Sequence, residues 1–496
     1  MIESHLPVYI PLTFLVFSVL IPLFAIWKKE LSQPLALVGS GIAAFLSVFG
    51  FISRLNENPL RYFFGGWEPP IGIEFVYDGL SAFFVMVINV VAFFVIMHSG
   101  RLSIRELSGK RMAFYSLAML MMLGLNGIVL TGDLFNLFVF LEISSLSGYA
   151  LIAIGSRPAS FAAFRYLIIG TVGGSLYLLG VGFLYTVTGT LNIIDMSPML
   201  PAVATDPAVV TALILMIVGI GIKAALFPMH GWLPDSYTYT NSISSSLIAP
   251  IGTKVAAYVL IRIMLYLFGI DLIDAVVPMS KIVGVLACAG ILYGSIMAIA
   301  QSDLKRMLAY SSISQIGYVI MGFSLANPLG FAGAILHVLN HAIMKACLFL
   351  ISGNLKMKEG HTDISRFDHS FRKKYRWSMA SFSVAAISMI GLPPLAGFFS
   401  KWYLALGTIQ NDNWLFLSVI LVSSLLNAVY FFRVLEKVYM KDPEAEAPDE
   451  NEVIPSNEVK PSMLFPTVVF AVALVVIGIF NVAIVNAILN MFPGGL

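Results

Sequence analysis

Residues 207–229 read PAVVTALILMIVGIGIKAALFPM, an apolar run with one charge, Lys223, and Pro228 five residues after it. About 20 mostly apolar residues suffice for a helix to cross the roughly 30 Å hydrocarbon core of a bilayer. The run is long enough to span. Pro228 removes a helix hydrogen bond and crowds the preceding turn, so the helix is expected to break beside the charge. A lysine at the centre of a spanning helix costs roughly 2.5–3.5 kcal/mol on translocon scales, which calls for a partner, water or a function. Discontinuous helices of this kind build binding sites near the midplane of transporters.

The same length of apolar run recurs along the chain. Fourteen spans are predicted, at 6–27, 34–53, 78–98, 112–130, 133–155, 161–188, 207–229, 243–268, 278–300, 307–325, 328–353, 378–405, 412–438 and 464–490. The composition agrees: of 496 residues, 58% are hydrophobic and 11% charged. Soluble domains run near 25% charged, so this chain cannot cover a water-facing surface; a disordered chain and an ordinary soluble enzyme are excluded. Runs this long that do not alternate argue against a transmembrane β-barrel. Cys288 and Cys347, the two cysteines, both fall in apolar runs, which excludes a disulfide framework and a cysteine-ligated zinc or iron–sulfur site. A net charge of +2 leaves no basic footprint for nucleic acid. The first run follows Glu3, with no basic leader or small-residue cleavage site, and is expected to be a retained helix.

Charge sets the orientation. Of 29 Lys and Arg, twenty fall with the odd-numbered loops and only three, Arg54, Arg61 and Lys281, with the even-numbered ones. Positive charge stays on the cytoplasmic side, so both termini are expected outside the cytoplasm. The basic 354–377 loop then faces inward. The 441–462 loop, with four prolines and a run of Asp and Glu, reads as solvated, lying along the membrane surface or touching a partner.

Six basic residues lie within spans: Arg165, Lys223, Lys254, Arg262, Lys345 and Lys401. Glu142 sits mid-helix in FNLFVFLEISSLSGYA, with Ser145 the only polar group within a turn on its face. It is either half of a structural ion pair or a proton-pathway carboxylate paired with a lysine. Lys223 is either that partner or a snorkelling residue at a kink. Lys254 follows Pro250 by four residues, again in a weakened helix. Arg262, two turns on, either snorkels or pairs, and Arg165 reads equally well as a charge near the surface. His337, His341 and Lys345 fall at i, i+4 and i+8 and so share one stripe. HxxxH admits a metal reading, but without a third carboxylate or cysteine nearby a proton wire or wetted seam fits better. Histidine both donates and accepts and titrates near neutrality.

Lys401 closes SMIGLPPLAGFFSKW (388–402), where Gly391, Pro393, Pro394 and Gly397 break the twelfth span. The two broken spans, seventh and twelfth, stand five apart. Five is odd, so a five-helix unit placed twice reverses its orientation. The expectation is an all-α polytopic membrane protein of about 14 transmembrane helices with two inverted five-helix repeats, each with one broken helix. The units are 1–111 for the first three spans, 112–268 and 278–438 for the repeats, and 439–496 for a loop and the last helix.

Five motifs carry a family resemblance: TGDLFNLFVFLEISSLSGY (131–149), IKAALFPMHGWLPD (222–235), DLKRMLAYSSISQIGY (303–318), HAIMKACLFL (341–350) and GLPPLAGFFSKW (391–402). The chain resembles the antiporter-like subunits of respiratory complex I and of Mrp-type cation/proton antiporters, over spans three to thirteen. GGWEPPIGIEFVYDGLSAFF (65–84) looks most like the Mrp D-type subunit. Very similar subunits occur in archaeal membrane-bound hydrogenases and related reductase complexes. The resemblance implies that Glu142 is the family's fifth-helix glutamate and Lys223 its lysine partner. It implies that Lys254 is the central lysine, His337 and His341 polar positions of the eleventh helix, and Lys401 the terminal lysine. Two departures stand out: Arg165, where many members carry lysine, and HGWLPDSYTYTNSISS (230–245), where an Ala-His-rich stretch is common.

The implied function is proton translocation within a multisubunit membrane complex, along a buried Glu-Lys-Lys-His-Lys relay with the ion pair as its switch. Other membrane subunits, lipid, protons and possible sodium ions are the implied partners. The competing classes are a stand-alone secondary transporter of a small solute, a sodium-conducting subunit, and a redox enzyme. The first would gather its polar groups into one pocket, whereas here they stand in a row. No flavin fingerprint, haem-ligand pair or iron–sulfur cysteine set is legible, so the expectation is no cofactor, with any electron chemistry in partner subunits.

Overall fold

A computed structural model describes residues 3–54, 58–107, 109–440 and 455–491. Spans 1 to 4 are Leu6–Ala25, Ser32–Arg54, Gly79–Glu106 and Arg111–Leu130. Spans 5 and 6 are Leu134–Ala153 and Arg157–Thr188. Span 7 is split into Pro207–Ala224 and Leu233–Tyr239. Span 8, Ser242–Ile261, runs on as a π-helical turn over Arg262–Phe268. Spans 9 to 11 are Met279–Ile299, Leu304–Ser324 and Pro328–Glu359. Span 12 is split into Arg376–Ile390 and Ala396–Gln410; span 13 is Trp414–Tyr439. Span 14 is split at Phe480 into Pro461–Ile479 and Asn481–Leu489.

Among the described residues, twelve helices are long and apolar enough to cross a membrane. The other two predicted spans are the tenth, whose SSISQ segment is polar, and the twelfth, divided into two helices of 15 residues. The protein is therefore an all-α, multi-pass membrane protein. Several predicted ends fall short, among them the end of span 12, at Gln410 against 405, and the start of span 6, at Arg157 against 161. Span 3 runs eight residues beyond 98 and span 11 six beyond 353, so Arg101, Arg105, Lys356 and Lys358 sit on helices and not in loops. Lys305, also assigned to a loop, lies in the first turn of span 10 and is buried. Residues 441–454 of the predicted acidic loop lie outside the described residues. Its remainder docks on the basic loop: Asn457 N donates to Lys374 O (2.9 Å), and Glu458 accepts from Trp377 N and Ser378 N at the start of span 12.

Backbone demands set the helix starts. The first four N–H groups of a helix lack intrahelical partners, and Asp or Asn before the first turn supplies an acceptor. Asp133 accepts from Asn136 N (2.6 Å), Asn241 from Ser244 N (2.8 Å) and Asp303 from Arg306 N (2.9 Å). One arrangement occurs twice, five spans apart. Leu134 N donates to Leu191 O and Ile193 N to Gly132 O, both at 2.9 Å, tying the start of span 5 to the segment after span 6. Leu304 N donates to Thr362 O and Ile364 N to Ser302 O, both at 2.8 Å, tying the start of span 10 to the segment after span 11.

Small residues let the spans approach. A Cβ built on Gly219 of span 7 would fall 2.5 Å from Gly173 O of span 6, so these backbones touch directly. Span 11 is buried almost along its length, packed against spans 3, 8, 10, 12 and 14, whereas spans 1, 2, 6 and 13 expose Leu, Val and Phe outward. One element was not expected. Leu60–Phe63 pairs antiparallel with Glu74–Tyr77, Leu60 opposite Tyr77, forming a hairpin between spans 2 and 3. Glu74 is fully buried there, held by Arg61 Nε (2.6 Å) and Asn192 Nδ2 (2.6 Å). The carboxylate beside Arg61 holds its guanidinium pKa above the ordinary value.

Candidate functional site

Span 5 places Glu142, Ser145 and Tyr149 at i, i+3 and i+7, on one face. Span 7 brings Lys223 to that face just before it breaks. The break is a Schellman turn: Leu226 N donates to Gly221 O (2.9 Å) and Ala225 N to Ile222 O (3.1 Å), with Ala225 at φ +56°. Glycine is the usual residue there; an L side chain in the left-handed region costs roughly 1–2 kcal/mol. Trp232 Nε1 also donates to Ile222 O (2.8 Å), holding the returning chain against the broken end. Lys223 Nζ thus reaches across to Ser145 Oγ (2.7 Å), Tyr149 OH (3.1 Å) and Glu142 Oε1 (3.7 Å). The lysine is 6% exposed and the glutamate 24%; Glu142 Oε1 has no hydrogen bond within the protein. Span 6 leaves room for the pair with glycine: a Cβ on Gly174 would come 2.5 Å from Glu142 Oε1, and one on Gly170 2.0 Å from Tyr149 OH.

Behind Lys223 lies a cavity of about 60 Å³, lined by Lys223, Ser145, Tyr237, Gly252 and Thr253 among others. A site holding one water needs about 10–15 Å³, so this one has room for several; Met121, Leu125, Ile128, Leu141 and Val255 supply the apolar part of its wall. The Tyr237 hydroxyl and Thr253 Oγ1 are buried facing each other, without a hydrogen bond of good geometry to any protein group. Lys254 is the next residue on span 8. Its ammonium donates to Ala249 O (2.7 Å) within the same helix and bonds neither Lys223 nor a histidine.

The span 11 stripe is present, with differing partners along it. His341 is fully buried and neither ring nitrogen finds a protein partner. It stacks on His337 at 6.0 Å between ring centroids. His337 Nδ1 lies 2.9 Å from Ser400 Oγ and Nε2 3.0 Å from Gln315 Oε1. Lys345 instead turns to span 10, donating to Leu308 O (2.6 Å) and Ser311 Oγ (2.5 Å). Lys401 donates to Met389 O (3.1 Å) and Ile390 O (2.9 Å), the last carbonyls of the first half of span 12. A cation belongs at such a C-terminus, where unpaired carbonyls carry the negative end of the helix dipole. Its neighbours orient Asn427 so that the amide oxygen accepts from Lys401 Nζ (3.1 Å) and Gln315 Nε2 (3.2 Å). His337, Gln315, Asn427 and Lys401 therefore form one connected polar chain.

Two arginines left open by the sequence have partners. Arg262 donates to Asp78 Oδ1 (2.5 Å) and Tyr258 OH (2.7 Å), its guanidinium lying over Tyr258 and Tyr266. It pairs and does not snorkel. Arg165 reaches Asp235 (3.2 Å), which Arg306 also approaches (3.7 Å). Sequence reasoning passed over Ser145's hydroxyl role, Tyr149, Gln315, Ser400 and Asn427. The only available signal was their spacing: Tyr149 at i+7 from Glu142, Ser400 beside Lys401.

Residues 131–427 match the family described as NADH:quinone oxidoreductase/Mrp antiporter, TM. The NADH-quinone oxidoreductase subunit N of Desulforudis audaxviator is 44% identical over 502 residues, covering 98% of each chain. The D-type subunit of the Na(+)/H(+) antiporter of Alkalihalophilus pseudofirmus is 32% identical over 434 residues, covering 86% of this chain and 85% of that one. Among solved structures, a chain of an archaeal membrane-bound sulfane sulfur reductase superposes with TM-score 0.89 at 28% identity, covering 98% of this chain and 96% of that one.

Proposed function

The chain belongs to the NADH:quinone oxidoreductase/Mrp antiporter membrane family, and we propose that it is a proton-translocating, antiporter-like subunit of a multisubunit membrane complex. The observation that carries the mechanism is the loose Glu142–Lys223 pair at the break of span 7. At 3.7 Å and an effective dielectric constant near 20, the two charges attract by roughly 4 kcal/mol. One charge crossing 100 mV costs about 2.3 kcal/mol. Withdrawing Glu142 therefore loosens the proton on Lys223 by an amount large enough to work against a membrane potential.

The proton then moves towards Lys254 through the wettable cavity beside Thr253. It passes along His341 and His337 and reaches Lys401 through water, the Gln315 and Asn427 amides orienting His337 and the Lys401 ammonium without carrying the proton themselves. Lys254 makes no direct hydrogen bond to either neighbour, so both of its transfers run through water. Lys345, turned to span 10, lies off this line.

The units 112–268 and 278–438 are read as inverted repeats, each housing half of the path. The paired strap at Leu134/Leu191 and Leu304/Thr362 supports that reading, as do the breaks in spans 7 and 12. Glu142 stands part-exposed at mid-membrane among exposed Val139 and Leu146, where lipid would leave a carboxylate stranded. A neighbouring membrane subunit over this face satisfies it.

The test is proton uptake by vesicles carrying the purified complex. Glu142→Ala and Lys223→Ala should each abolish ion-coupled transport while the complex still assembles. Normal transport by an assembled Lys223→Ala complex would make the charge structural and end this reading.

A further inference from the structure

Spans 12 and 13 frame a groove towards the end that carries the basic loop, where Ser383 Oγ donates to Tyr439 OH (2.9 Å) between them. The groove between them, about 660 Å³ and mostly apolar, is lined by Ala380, Ser383, Ile387, Phe432, Leu435 and Tyr439, with Glu436 and Met440 at its rim. From Ala380 to Ile387 the helix rises about 10 Å, within the roughly 15 Å thickness of one leaflet. Trp377 and Tyr439 flank the mouth, as aromatic residues do at the level of lipid headgroups.

The mouth is cationic. Ser370–Lys374 forms a short helix across it, and Arg372 lies over the Tyr439 ring at 5.5 Å. Lys373, Arg376 and Lys437 are exposed around it. Among the described residues two acids stand near; the 441–454 segment, outside them, carries six more. Glu458 is already engaged by Trp377 N, Ser378 N and Ser378 Oγ at the start of span 12, which leaves Glu436 as the free negative charge among the described residues. Among the described residues, positive charge therefore dominates where an apolar groove opens to the interface.

We propose that this groove seats one anionic phospholipid, an acyl chain along Ala380, Ser383 and Ile387 and the phosphate against Arg372 and Arg376. The apolar lining accepts a chain that any phospholipid offers. The cations select a net negative headgroup, because basic pockets between spans on the positive side bind such headgroups. This seat does not depend on the Glu142–Lys401 line; its deep end, Ile387, is one turn from Ile390, whose carbonyl accepts from Lys401.

Native mass spectrometry of the purified complex, incubated in detergent with phosphatidylglycerol or with phosphatidylcholine, tests it. The wild-type complex should retain phosphatidylglycerol in preference. Arg372→Gln/Arg376→Gln removes two cations and should lower that retention roughly 30-fold, at about 1 kcal/mol per basic residue near the surface. Ala380→Trp, at an exposed position that leaves the core untouched, should block retention while all four basic residues remain. Equal retention of the two lipids would overturn the proposal. So would retention unchanged by Ala380→Trp, which would put the lipid elsewhere. An absence of retained lipid in the wild type would mean that residues 441–454 or a partner subunit fills the groove, and would overturn it as well.

Discussion

Lys223 Nζ stands 3.7 Å from Glu142 Oε1 but only 2.7 Å from the Ser145 hydroxyl, so neutral donors and acceptors hold the ammonium in place while the carboxylate is held by charge alone. A pair built this way can part without unseating the lysine. The glutamate is the movable member: it is the more exposed of the two, and span 6 faces it with glycine.

Gly174→Ala therefore tests position apart from charge. The added methyl would lie 2.5 Å from Glu142 Oε1, and the end of that flexible side chain would have to shift. The expected result is an assembled complex of near-normal melting temperature whose transport falls roughly tenfold, equivalent to about 1.4 kcal/mol. Transport unchanged in Gly174→Ala would show that the resting place of Glu142 is immaterial.

The Asp78–Arg262 pair predicts a different phenotype. Both groups are mostly buried, and the pair ties the start of span 3 to the π-helical end of span 8. Breaking a buried pair leaves an uncompensated charge, and Asp78→Asn should lower stability by about 3 kcal/mol. Thermal unfolding of the detergent-solubilised complex reads this out. Neutralising both partners, Asp78→Asn with Arg262→Gln, should recover part of the loss. A melting temperature unmoved by Asp78→Asn would exclude the clamp.

Orientation is open to labelling. Tags at both termini should react with impermeant reagents from outside intact cells, and cysteines placed in the 354–377 loop should react only after permeabilisation. Labelling of either terminus from the cytoplasmic side alone would reverse the proposed topology.

What the sequence revealed follows from what each feature depends on. The spans and the breaks at Pro228 and Pro393–Pro394 rest on local composition, and they stand where apolar length and proline require. Glu142 and Lys223 were found because a charge in an apolar run is conspicuous alone. The partners of Lys223, His337 and Lys401 were not: Tyr149, Gln315 and Asn427 are ordinary polar residues until another span faces them. Lys305 counted as a loop cation because its burial against Thr240 O depends on the span 7 break folding over it. The Leu60–Tyr77 hairpin was invisible for a similar reason. Its strands are four residues long, and its buried Glu74 is satisfied by Asn192, 118 positions away. Arg262 had two readings because the deciding carboxylate, Asp78, sits five spans earlier.

The central claim is that protons cross from the Glu142–Lys223 pair to Lys401, which must then gain and lose a proton in each cycle. Lys401→Arg keeps the positive charge that caps Met389 and Ile390, but a guanidinium holds its proton at any working pH. The direct measurement is proton uptake by vesicles carrying the Lys401→Arg complex, beside Lys401→Ala, with assembly verified for both. The account predicts that both assemble and neither pumps. Transport near the wild-type rate in Lys401→Arg, with loss only in Lys401→Ala, would contradict it and leave Lys401 as a helix cap.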